Sequence, residues 1–309
     1  MKTPRNSLLV AAVVALSLTM VGVARGQIFV SNFNAGTISE YTTSGVLINA
    51  ALISGLNGPV GIAISGTDLF VANYSNGTIG QYTTAGATVQ AALISGLSAP
   101  LDIKVSGTNL FVSNWTSIGT IGQYTTSGAT VNAALISGLN NPAGIALSGT
   151  NLFVANQGTG TIGQYTTSGA TVNAALISGF NILMGIDLSG TDLFVADRGN
   201  GTIGQYTTSG ATVNAALISG LTVPGVSVPY FIALAGPQLF LANYGGNAIG
   251  QYTTSGATVN AALISGLDRP TGIAVVDSSI PEPSSYAALA GLLSLGFVML
   301  RNRCTHAPV

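Results

Sequence analysis

Cysteine and histidine are almost missing from this chain, and what little there is stands at one end. One of each occurs in 309 residues, Cys304 and His306, both within the closing "CTHAPV". Without that end the remainder holds no thiol and no imidazole, which excludes disulfides, thiolate metal sites, cysteine nucleophiles and histidine general bases. Charge is scarce as well: Asp, Glu, Lys and Arg make up 6% of the residues, against roughly 25% in ordinary globular chains. Between Gln27 and Ile280 the basic residues are Lys104, Arg198 and Arg269, facing Glu40, Asp68, Asp102, Asp187, Asp192, Asp197, Asp268 and Asp277. No basic stripe is available to hold phosphates, so nucleic acid is excluded as a partner. Solubility falls to Thr, Ser, Asn, Gln and Gly, and so low a charge favours self-association or adhesion.

Repetition is what the chain has instead. The stretch "QYTTSGATVNAALISG" begins at Gln123 and recurs letter for letter at Gln164, Gln205 and Gln251, with relaxed copies from Glu40 and Gln81. The six copies start 41, 42, 41, 41 and 46 residues apart, a period that signals a repeat architecture. The second copy reads "PVGIAIS", "TDLFVANYS", "NGTIGQYTT" and "AGATVQAALIS". These are four short runs rich in Val, Ile, Phe, Tyr and Thr, each bounded by turn residues, hence four strands per unit. Four-stranded units at this spacing predict an all-β chain folded as a six-bladed β-propeller, each blade burying both faces against its neighbours. A β-solenoid is the alternative, although its turns use shorter repeats. The first copy opens at "IFVSN" with a second strand, while "PTGIAVV" at Pro270–Val276 is a first strand with nothing after it. The two fragments complement each other, so blade 1 is expected to combine Gly272–Val276 with Ile28–Ile53.

The unit resembles the NHL repeat, whose pattern runs P-x-G-I-A-V and then L-Y-V-A-D-x-x-N-x-R-I. "PAGIALSGTNLFVANQGTGTI" from Pro142 and "GTDLFVADRGNGTI" from Gly190 carry the likeness, which extends over residues 28–276. Thr120, Thr161 and Thr202 stand where NHL units often have Arg. The resemblance implies a six-bladed propeller of a kind that includes lactonases and lyases as well as pure binding scaffolds, and it leaves activity open.

Both ends read as sorting segments. Lys2 and Arg5 precede "LLVAAVVALSLTMVGV", and small residues Ala24 and Gly26 stand three and one before Gln27, the grammar of a secretory signal peptide over 1–26. An N-terminal membrane anchor is the alternative. At the other end an uncharged run from Ser284 to Leu300 would reach about 25 Å as a helix, the lower limit for crossing a bilayer. With Pro281, Glu282 and Pro283 before it and Arg301 and Arg303 after it, this tail resembles the PEP-CTERM sorting signal of Gram-negative bacteria. That resemblance implies recognition by an exosortase-type membrane protease, cleavage near the Pro-Glu-Pro, and release to the cell surface or an exopolysaccharide matrix. A permanent C-terminal anchor is the alternative reading. The expected organisation is a signal peptide over 1–26, a propeller over 27–280 and a sorting signal over 281–309. The membrane is then touched only through the C-terminal helix before processing.

Candidate site residues fall into three sets. Asn32, Asn73, Asn114, Asn156, Asp197 and Asn243 close the second strands, where a ring of polar ligands competes with ordinary turn chemistry, which is favoured. Asp102, Lys104 and Asp187 are the charges on the first strands and are expected in the channel as a local ion pair or a solvated lining. A metal-dependent lactonase- or lyase-type enzyme would need carboxylates there, and a cation opposes such a cluster. No cofactor is expected. The residue after each of those Asn or Asp positions varies between copies: Phe33, Tyr74, Trp115, Gln157, Arg198 and Tyr244. The aromatics Phe33, Tyr74, Trp115 and Tyr244 thus occupy four consecutive blades on one face. The insertion around "TVPGVSVPYF" from Thr222 belongs to the same face. Flat rings beside hydroxyl and amide groups suit a polysaccharide or another surface protein. The competing reading is that each ring packs over its neighbour's turn.

Overall fold

The computed structural model describes residues 26–221 and 229–276. Among them every regular element is a β-strand, and the strands form six four-stranded antiparallel sheets. The sheets are the blades of a β-propeller, as the 41-residue period requires. In blade 2, Pro59–Ser65 lies innermost and is followed outward by Asp68–Asn73, Thr78–Thr83 and Thr88–Ile94. The segments read as a signal peptide over 1–26 and as a sorting signal with Pro281, Glu282 and Pro283 lie outside the described residues, apart from Gly26.

Blade 1 closes the ring between the two ends of the repeat region. Pro270–Val276 pairs antiparallel with Gln27–Asn32 in the register Gln27 to Val276, Ile28 to Val275, Phe29 to Ala274 and Val30 to Ile273. The orphan first strand therefore sits where the sequence phase put it, and the inner edge of Gln27–Asn32 is paired at the seam.

Burial follows the strand order. The second strands are buried on both faces, and their phenylalanines Phe29, Phe70, Phe111, Phe153, Phe194 and Phe240 are the largest fully buried side chains. Each phenylalanine packs against two aliphatic residues on the second strand of the next blade. Phe70 meets Leu110 and Val112, and Phe240 meets Ile28 and Val30 across the seam. Six such interfaces make six apolar cores, and truncating any one phenylalanine to alanine is expected to cost about 3–5 kcal/mol. The outermost strands are exposed over their first five residues in every blade. Their exposed amides are partly used internally: Asn132 Oδ1 accepts the Ala134 N–H at 3.1 Å, a bond repeated at Asn49, Asn173, Asn214 and Asn260.

The axis is narrow because the innermost strands meet backbone to backbone. A side chain at Gly61 would place its Cβ 2.8 Å from the Asp102 Cα; at Gly144, 2.6 Å from the Met184 carbonyl; at Gly185, 2.7 Å from the Phe231 Cα. At Gly272 it would overlap the Val60 carbonyl. Glycine is needed here for space and not for an unusual backbone angle. Asp102 and Phe231 occupy the same repeat position in blades 3 and 6.

Candidate ligand-binding site

One mouth of the axis is built by backbone anchoring. The N–H of Tyr74 donates to the Gly58 carbonyl at 3.0 Å, Trp115 to Ala99 at 3.0 Å, Gln157 to Asn141 at 3.1 Å, Arg198 to Ile182 at 2.9 Å and Phe33 to Arg269 at 3.2 Å. In each case the acceptor is the residue just before the innermost strand of the same blade. Four of those acceptors have left-handed backbone: Gly58 (φ 58°), Ala99 (φ 52°), Asn141 (φ 51°) and Arg269 (φ 52°). Three of them are not glycine, a costly conformation held by surrounding structure. In these five blades the repeat thus fixes one turn so that the variable residue after the second strand faces the axis.

The six variable residues Phe33, Tyr74, Trp115, Gln157, Arg198 and Tyr244 line a single pocket of about 200 Å³. Val60, Leu101 and Met184 from the innermost strands also line it, with Tyr230 on the side of blade 6. The ring residues touch in sequence around the mouth. Phe33 and Tyr74 have centroids 6.2 Å apart, and Tyr74 and Trp115 6.3 Å apart, both tilted. Trp115 Nε1 donates to Gln157 Oε1 at 3.0 Å, and Gln157 Nε2 lies 3.2 Å from the Met184 sulfur. Tyr230 and Tyr244 stack at 5.1 Å and 22°, and Arg198 lies 5.7 Å from both centroids. Burial pushes the Tyr230 hydroxyl far above its ordinary range, so it stays a neutral donor at any working pH.

The structure brings Phe33, Tyr74, Trp115 and Tyr244 together around one pocket, and the packing expected of the rings is seen at Phe33. Phe33 packs over the next blade's turn, since a Cβ at Gly58 would meet its ring at 3.0 Å, and it also lines the pocket. Tyr230 was missed in the sequence because "PYF" reads as the end of an insertion. The signal was its alignment with Val60, Leu101 and Met184 at the second residue of an innermost strand. Thr222 to Val228 lie outside the described residues.

The Asn and Asp residues closing the second strands do not line this pocket. Three of them bond within the local turn: Asn73 Nδ2 donates to Thr78 Oγ1 at 3.3 Å, Asn114 Nδ2 to Thr120 Oγ1 at 3.0 Å, and Asp197 Oδ2 accepts from Asn200 Nδ2 at 2.8 Å, while Oδ1 of each of the five asparagines is buried with no partner among the described residues.

The three inner-strand charges separate into two environments. Lys104 Nζ lies 3.6 Å from Asp187 Oδ1, joining blades 3 and 5. Burial works against the Lys104 charge, but Asp187 and Asp102 outweigh it and hold the ammonium above its ordinary range. Asp102 departs from the expected channel lining: it is 3% exposed, and Oδ1 accepts the Ile103 N–H while Oδ2 accepts the Ile145 N–H, both at 2.8 Å. Innermost strands have no further partner toward the axis, so their N–H groups need acceptors, and a carboxylate at a position that four blades fill with glycine reaches one. Burial pushes the Asp102 carboxyl up to about 6, with Lys104 and the two N–H groups opposing. Among the described residues no group of three His, Cys, Asp or Glu is placed to share a metal ion.

No family model and no curated protein matches the sequence. Solved structures do match. A chain of the nidogen/laminin complex is 15% identical, covers 82% of this chain and all of its own length, with a TM-score of 0.68. A streptogramin B lyase is 18% identical over 80% of this chain and 76% of its own, TM-score 0.55. A gluconolactonase from Xanthomonas campestris is 13% identical over 71% of this chain and 84% of its own, TM-score 0.54. At such identities the likeness is one of fold, and the fold these chains share is the β-propeller.

Proposed function

We propose that this chain is a binding module, not an enzyme, and that the aromatic pocket at the axis holds a sugar chain. One observation carries the reading: the residue that follows the second strand differs between otherwise similar blades, and all six such residues line one pocket. Phe33, Tyr74, Trp115 and Tyr244 offer flat faces for a sugar ring, with the Gln157 amide between them for hydroxyls. The reading fits export to a cell surface or exopolysaccharide matrix, which the terminal segments suggest. A lactonase or lyase remains the competing class because such enzymes share the fold. What weighs toward binding is that Asp102 spends both carboxylate oxygens on backbone N–H groups and Asp187 is paired with Lys104.

Retention on immobilised polysaccharide tests the proposal. The parent protein is expected to be retained, and Tyr74→Ala combined with Trp115→Ala to lose retention while circular dichroism stays unchanged. Trp115 is the only tryptophan, so its fluorescence reports occupancy of the pocket directly. Equal retention of a folded double variant would overturn the proposal.

A further inference from the structure

The pocket contains a positive charge that nothing in the described residues balances. Arg198 is the one ionic residue lining it, and Arg198 Nε is buried without a hydrogen-bond partner among those residues. The adjacent acid does not serve it: Asp197 accepts the N–H groups of Asn181, Ile182 and Asn200 and the Asn200 side-chain amide. The one salt bridge among the described residues is Lys104 with Asp187. A second guanidinium, that of Arg269, lies 5.6 Å from the Tyr244 centroid, while Asp268 accepts the Asn34 amide at 3.1 Å. Two of the three cations between Gln27 and Ile280 therefore flank the same tyrosine, in a body that is otherwise acidic.

Ring faces compensate a half-desolvated cation only in part. A guanidinium whose Nε is buried without a partner gains from an ionic one, and here the open side is the pocket. We infer that the pocket takes a carboxylate-bearing sugar ring, the terminal uronate of an acidic polysaccharide, with its ring against the aromatics and its carboxylate on the Arg198 guanidinium. The inference rests on the sugar-binding reading above and names the ligand class. A guanidinium presents a planar pair of donors that matches a carboxylate. A volume of about 200 Å³ is below the range of pockets for drug-sized ligands, which favours one terminal ring over a run of several.

Isothermal titration of the purified protein with tri-uronates of galacturonate, glucuronate and mannuronate, each beside its carboxyl-reduced neutral form, decides the matter. The parent is expected to bind one acidic trimer roughly tenfold more tightly than its neutral form, with the preference shrinking as salt rises. Arg198→Gln places at this position the residue blade 4 already has in Gln157, so the fold should be kept; its preference should collapse toward one. Arg198→Lys should keep part of it. Neutral trimers bound as tightly as acidic ones, or an Arg198→Gln preference equal to the parent's, would overturn this inference and leave the sugar-binding reading standing. Binding of no trimer in either form would overturn both.

Discussion

The backbone N–H of Ile145 donates a 2.8 Å hydrogen bond to Oδ2 of Asp102 on the neighbouring blade. Asp187 repeats the device with the Leu234 N–H at 3.0 Å. In both, a carboxylate on one innermost strand accepts the N–H one repeat position further along on the next. The two differ in burial: Asp102 is 3% exposed, and the Asp187 side chain is 23% exposed and pairs with Lys104. These two bonds stitch blade 3 to blade 4 and blade 5 to blade 6.

Asp102 makes stability depend on pH. Its carboxyl moves from an ordinary 3.8 to about 6 on folding, so the protonated form is favoured by the fold. That contribution is fully present below 3.8 and is lost as pH rises through 6, a change of about 3 kcal/mol. Asp102→Asn does not titrate there. Denaturant unfolding at about pH 3.5 and pH 8 should show the variant gaining on the parent by that order as pH rises. Lys104→Met removes the charge that lowers the Asp102 value and should shift the loss to higher pH. A parent-to-variant difference that is flat with pH would refute this account.

Gly272 sits where the ring closes. Alanine there would overlap the Val60 carbonyl, which is backbone and cannot rotate away. Gly272→Ala is expected to cost 3 kcal/mol or somewhat more, at about the upper end for overpacking, read as a lowered denaturation midpoint with an unchanged slope. A midpoint equal to the parent's would mean that the inner strands have room to part.

Processing of the ends is testable on the natural protein. Intact mass of surface-associated material should show a chain starting near Gln27 and ending near Pro281. A mass that includes the residues up to Val309 would favour a permanent anchor.

The repeat made blade number, strand order and the closure of Gln27–Asn32 on Pro270–Val276 legible, because strand identity and phase are written in local alternation and turn residues. The face carrying Phe33, Tyr74, Trp115 and Tyr244 was legible too, since position within a unit fixes the end of the blade to which a turn belongs. Their convergence with Gln157 and Arg198 was less visible, because polar and aromatic residues at one repeat position look unrelated until six blades are wrapped around one axis.

The sequence by itself determined the propeller: each blade is specified by patterns within some forty residues, and identical units can only stack identically. The tertiary structure decided the site. Among the described residues Arg198 has no ionic partner because Asp197 turns to its own linker, Tyr230 joins Tyr244 across 14 positions, and Asp102 is buried where Asp187 is partly exposed. Each of these depends on distances between blades, which the closing of the ring sets and no single unit encodes.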